Sequence, residues 1–141
     1  MDDLIYLGFV DGTSRHTWNL AFATWVIYYR SIQLLVSRGV CIGPTSNNVV
    51  EYNDVINLLS EAISLGIDTL VVYLDSQLVV SQLNKIYHVR DPYLYCQFVR
   101  VHLLQRSLIY ITFVHIPQLE ISLVYSIANQ ALDCHINHSS H

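Results

Sequence analysis

Apolar residues cluster in blocks through the first third of the chain and recur at helical spacing through the middle. Residues 4–10, Leu-Ile-Tyr-Leu-Gly-Phe-Val, predict a strand. Residues 18–29 are rich in Trp, Phe, Thr, Val, Ile and Tyr and predict a long second strand. Residues 33–42 continue the pattern until Gly43-Pro44 stops it, so these three read as an antiparallel meander. The period then changes. Val55, Leu58, Leu59, Ala62 and Ile63 recur at helical spacing, with Ser46 or Asn47 as cap and Gly66 as stop. Residues 69–74 predict a fourth strand, Ser76 to Lys85 a short helix, and Asp91-Pro92 the start of a helix to about Arg106. Residues 108–115 predict a fifth strand. Ser122 opens a last helix through about Leu132, and a polar His/Ser tail follows from about 134. The order β-β-β-α-β-α-α-β-α implies an α/β domain: one mixed sheet with helices on both faces. Residues 1–141 show no repeat or linker and read as a single domain.

Composition changes this picture in two ways. Hydrophobic residues make up 52% and charged residues 13% of the 141, against about 25% charged in a typical soluble domain. An apolar patch should therefore remain once the core is filled. A symmetric homodimer is expected from it, through the strand around Trp25–Tyr29, the outer face of the Tyr93–Leu104 helix, or the edge of the third strand. The longest apolar stretch, Leu20–Tyr29, is too short to span a bilayer, so no membrane partner is expected. No signal-peptide pattern opens the chain. Cys41, Cys96 and Cys134 are odd in number and far apart, which reads as free thiols in a reducing intracellular compartment. The net charge of −4 weighs against strong nonspecific binding to nucleic acid.

Three carboxylates carry the candidate chemistry. Asp11 closes the first apolar run, Glu51 lies in the first turn of the long helix, and Asp75 closes the run Thr69–Leu74. Each alone has an ordinary reading. Asp11-Gly12 is a turn signal, Glu51 can answer the helix dipole, and Asp75-Ser76 can cap the next helix. Together they differ. In α/β sheets sites form at the carboxyl ends of strands, and Glu51 shares the apolar helix face with Val55 and Leu58. Three oxygens at one spot suit hard divalent cations.

Several segments carry a family resemblance: Phe9-Val-Asp-Gly-Thr-Ser14, Ser46-Asn-Asn-Val-Val-Glu-Tyr52, Leu74-Asp-Ser-Gln-Leu-Val-Val-Ser-Gln-Leu-Asn84, Arg90-Asp-Pro92, His115-Ile-Pro117 and Ala128-Asn-Gln-Ala-Leu132. In that order they resemble the ribonuclease H type 1 family, in its reverse-transcriptase-like branch from plant gypsy-type retrotransposons. The resemblance implies a ribonuclease H-like fold with a five-stranded mixed sheet in order 3-2-1-4-5. It implies an endoribonuclease that cuts the RNA strand of RNA/DNA hybrids with two divalent ions, Mg²⁺ or Mn²⁺. Asp11 would bridge the ions, Glu51 and Asp75 would complete their shells, and Ser14, Asn47 and Gln77 would contact the hybrid.

The sequence departs from the family at the start of the last helix. The family's fourth carboxylate falls on Tyr125, whose phenol is a poor Mg²⁺ ligand at neutral pH. Gln118 stands for an Arg and Ile121 for an Asn. Two readings follow: a hybrid-cleaving endoribonuclease weakened at the fourth ligand, or a non-catalytic retrotransposon-derived module that binds or oligomerises. Outside the motifs, His88, His115, the tail histidines His135, His138 and His141, and the aromatic residues Tyr93, Tyr95 and Phe98 are lesser candidates for phosphate, metal or base contact.

Overall fold

Alternating side chains give the central strands two buried faces. In the computed structural model, which describes residues 5–15, 20–29, 33–43, 45–124, 126 and 127, eight elements follow in order. They are β1 (Tyr6–Arg15), β2 (Leu20–Tyr29), β3 (Gln33–Cys41), α1 (Asn47–Ser64), β4 (Thr69–Leu74), α2 (Gln77–Leu83), α3 (Pro92–Gln105) and β5 (Tyr110–His115). They build one sheet in the order β3-β2-β1-β4-β5. β1–β2 and β2–β3 pair antiparallel, while β1–β4 and β4–β5 pair parallel, so the expected mixed sheet is the one observed.

One face packs on the helices. Val10, Ile27, Leu70, Val72 and Leu74 meet Val55, Leu58, Leu59 and Ala62 of α1, Val79 and Leu83 of α2, and Leu94 and Val101 of α3. Gly8 lets α1 approach: a Cβ there would stand 2.8 Å from Leu58 Cδ1. The opposite face carries Phe9 and Val26, with Tyr28, Tyr73, Ile116 and Val124 against them. Val124 belongs to a last helical stretch, residues 118–124. Full burial of Tyr52 and its 2.7 Å hydrogen bond to Gln82 lock α1 to α2.

Four sequence expectations need correction. Asp11 does not end a strand, and Asp11-Gly12 is no turn. β1 runs on to Arg15 because its pairing with β2 continues through Arg15↔Leu20. Glu51 lies past the first turn of α1, which holds no acid. The last helix starts before Ser122: the Glu120 and Ile121 N–H groups already donate to the Pro117 carbonyl at 3.0 and 3.3 Å. A proline is tolerated at such a start, where the first N–H groups have no helical partner. The Trp25–Tyr29 segment offers no docking surface, because β2 is central and Trp25, Val26 and Ile27 are buried. The end of the last helix, Leu132, and the tail lie outside the described residues.

Candidate active site

Strand pairing brings the acids to one end of the sheet. β1 pairs with β4 only from Tyr6↔Leu70 to Phe9↔Tyr73. Asp11 therefore lies just beyond the parallel pairing, where β1 continues beside β2 alone. Asp75 follows Leu74, the last residue of β4. α1 starts at the same end, with the Ser46 hydroxyl accepting the Val49 N–H at 3.4 Å. Glu51, one turn in, is 2% exposed. One carboxylate oxygen from each of Asp11, Glu51 and Asp75 lies within 4.8 Å of the others. A charge–dipole role does not explain Glu51, since that effect falls off within the first turn.

Electrostatics show an arrangement under tension. Burial, then the charge of Asp75, pushes the Asp11 carboxyl above its ordinary range, and a Gln118 hydrogen bond offsets part of this. Burial also pushes Asp75 up. Its own backbone N–H, a hydrogen bond with Glu51 and the nearby His115 pull it partly back. Asp11 Oδ1 is buried without a hydrogen-bond partner. Clustered carboxylates with an orphaned oxygen and raised affinity for protons fit a divalent cation, which would replace those protons.

A fourth acid, Asp54, was missed by the sequence reading. It is fully buried on α1, one turn beyond Glu51. Its Oδ2 accepts the backbone N–H of Asp11 at 3.0 Å and of Thr24 at 3.1 Å. Asp11 and Thr24 are partners across the β1–β2 ladder, and the Thr24 hydroxyl donates to the Asp11 carbonyl at 2.8 Å. Burial and the charge of Glu51 hold Asp54 well above the usual carboxylate range. The available signal was spacing: an acid three residues after Glu51 shares its core-facing side.

Other candidates divide. Asn47 and Gln77 are the first residues of α1 and α2, both exposed. Ser14 is on β1, and its side chain lies outside the described residues, as do Tyr125, Cys134 and the tail histidines. His115 is exposed, not a core histidine, because β5 ends there. His88 is exposed in the segment between α2 and α3. Tyr93 and Tyr95 are exposed, 55% and 51%, so core packing explains only Phe98 of that trio. Cys41 and Cys96 are free and exposed. Among the described residues, no helix is long and apolar enough to cross a membrane.

Comparison with known proteins places this geometry. Residues 9–131 match the family described as reverse transcriptase-like. The chain is 31% identical over 125 residues to ribonuclease HI of Halobacterium salinarum, covering 89% of this chain and 63% of that protein's length. The crystal structure of ribonuclease H1 from the same archaeon superposes with a TM-score of 0.80 at 30% identity, covering 92% of this chain and 98% of the other. LC11 ribonuclease H1, solved in complex with an RNA/DNA hybrid, superposes with a TM-score of 0.75 at 29% identity, covering 82% and 87%.

Proposed function

This chain belongs to the reverse transcriptase-like family of ribonuclease H proteins, and from that premise we propose that it is an endoribonuclease cutting the RNA strand of RNA/DNA hybrids. The observation that carries this reading is the convergence of Asp11, Glu51 and Asp75 within 4.8 Å, where the parallel pairing of β1 with β4 ends. Asp11, Glu51 and Asp75 would hold the divalent ions, Mg²⁺ or Mn²⁺, two when active. Such ions supply Lewis-acid polarisation of the scissile phosphate and charge neutralisation. The protein's own part is positioning. β1 and β4 fix Asp11 and Asp75, α1 brings Glu51 down on them, and Gln118 and His115 adjust their charge. Asn47 and Gln77, exposed at two helix starts on the same end, suit contact with the hybrid backbone, and the family resemblance adds Ser14 of β1. The plant gypsy-type origin rests on the motif resemblance. The absence of an acid at position 125 weakens one ion site, so Mn²⁺ should support cleavage better than Mg²⁺.

The test is cleavage of a hybrid labelled on its RNA strand, with duplex RNA and duplex DNA as controls. Cleavage of the hybrid alone, dependent on divalent metal and abolished by Asp11→Asn, supports the reading. A well-folded protein that leaves the hybrid intact with both Mg²⁺ and Mn²⁺ would leave the second reading, a non-catalytic binding or homodimeric module. That alternative draws on the exposed Tyr93, Tyr95 and Leu103 of α3 and on Leu35 and Val40 of the edge strand β3. The exposed free thiols of Cys41 and Cys96 suit a reducing intracellular setting.

A further inference from the structure

The structure assigns a positioning role to Asp54: its carboxylate oxygen clamps the backbone of Asp11 from α1 and so sets the geometry of the acidic site. This rests on the hydrolytic reading above. Oδ2 of Asp54 accepts the Asp11 N–H at 3.0 Å and the Thr24 N–H at 3.1 Å. The Thr24 hydroxyl holds the Asp11 carbonyl at 2.8 Å. Both backbone polar groups of Asp11 are thus held by side chains, one from a helix and one from the neighbouring strand. The direction of the Asp11 side chain follows from that backbone.

The helix matters as much as the bond. Glu51 and Asp54 are three residues apart on α1 and share a side. One rigid element therefore delivers a carboxylate to the site and grips the strand that delivers another. The separation of Glu51 from Asp11 becomes a property of α1 rather than of loop packing. Asp54 does not belong to the group of oxygens within 4.8 Å; its Oδ2 is taken by two N–H groups, and its Oδ1 is buried without a hydrogen-bond partner. Core packing gives no reason for it either. The position is wholly buried among Val50, Val55 and Leu58, where an apolar side chain would fill the space without placing a third carboxyl beside Glu51 and Asp11.

Two substitutions separate the acceptor from the charge. Asp54→Asn keeps an oxygen for both N–H groups and loses the charge. Asp54→Ala loses both. Mn²⁺ binding, read by water-proton relaxation, needs no activity; hybrid cleavage at saturating metal is read beside it. Asp54→Ala is expected to weaken Mn²⁺ binding and cleavage by roughly 10–100-fold, the usual effect of removing a group that orients a metal ligand. Asp54→Asn should retain most of both. Asp54→Ala with wild-type Mn²⁺ affinity and cleavage overturns the proposal, and so does Asp54→Asn impaired as deeply as Asp54→Ala. If Asp54→Ala fails to fold, Thr24→Val serves instead. It removes only the hydroxyl on the Asp11 carbonyl, should weaken Mn²⁺ binding in the same direction by less, and overturns the clamp if it changes nothing. Wild-type protein that binds Mn²⁺ yet cuts no hybrid overturns the function and leaves Asp54 to be judged on metal binding. Wild-type protein that binds no Mn²⁺ overturns both.

Discussion

Helix α1 carries two inward-reaching glutamates whose surroundings are opposite. Glu61 meets cations and donors. Arg38 Nε lies 2.9 and 2.7 Å from its two oxygens, and the Trp25 indole N–H donates to Oε1 at 2.9 Å. Glu51, on the same helix, meets Asp11 and Asp75, with Asp54 beneath. The first environment is complete within the chain. The second concentrates like charge where water is scarce, and that arrangement destabilises a fold unless a cation joins it. The difference separates an acid that holds the fold together from the acid to which the proposed function gives a metal.

The largest effect is expected from Glu51→Gln, which keeps shape and removes charge. Hybrid cleavage should fall by more than about 100-fold, beyond the range typical of groups that only orient a ligand. The metal-free protein should melt at a higher temperature than wild type, because one of the clustered charges is gone. Full activity with unchanged melting would place Glu51 with Glu61, as a structural acid.

Adding an acid sharpens the same contrast. Tyr125→Asp restores a carboxylate where the family resemblance expects one. Cleavage with Mg²⁺ is expected to rise by about tenfold, on the scale of ligand-sphere changes, and the preference for Mn²⁺ to shrink. Unchanged metal affinity in a folded variant would put position 125 outside the site.

Proton linkage gives a smaller effect of definite sign. Asp11 and Asp75 are raised above their ordinary values in the folded chain. Through that window the folded state binds more protons than the unfolded state, so stability falls as pH rises. Acidifying metal-free protein from about pH 7 toward the ordinary carboxylate range should raise its melting temperature in a His102→Gln background, which removes the opposite contribution of an imidazole that burial lowers. Saturating Mg²⁺ should reduce that slope, since bound ions displace the protons of Asp11 and Asp75, while buried Asp54 keeps its own share. A metal-free protein that melts lower as pH drops across this range would mean that the acids are already compensated.

Hydropathy made much of this legible. The five strands, α1 with its Ser46 cap and α3 with its Asp91 cap all follow from apolar period and capping chemistry. The sheet order came from the motif resemblance. What stayed hidden depends on hydrogen bonds between distant segments. β1 looked finished at Val10 because polar residues follow, yet its backbone goes on pairing with β2 to Arg15. Asp54 was passed over because an aspartate is ordinarily exposed. Its two partners, the Asp11 and Thr24 N–H groups, lie 43 and 30 residues away in sequence. Glu51 was placed a turn too early, which kept the dipole explanation open until the cap at Ser46 closed it.

The smallest expected effect falls on the other glutamate, and it completes the contrast. Arg38 is 61% exposed, so water screens its pair with Glu61, and the charge attraction is worth under about 1 kcal/mol. Trp25 is 8% exposed, so its indole N–H depends more on the bond it makes. Glu61→Gln leaves an acceptor for that N–H and should cost about 0.5 kcal/mol. Glu61→Ala strands it and should cost about 1–2 kcal/mol. Neither should alter cleavage at saturating metal, because Glu61 stands almost three helical turns from Glu51 and touches β2 and β3 instead. Chemical denaturation and hybrid cleavage, measured on both variants, test this directly. Loss of stability with full activity is the reverse of what Glu51→Gln should show. A fall in cleavage beyond what the unfolded fraction explains would mean that α1 transmits strain along its length, and that the two acids belong to one site.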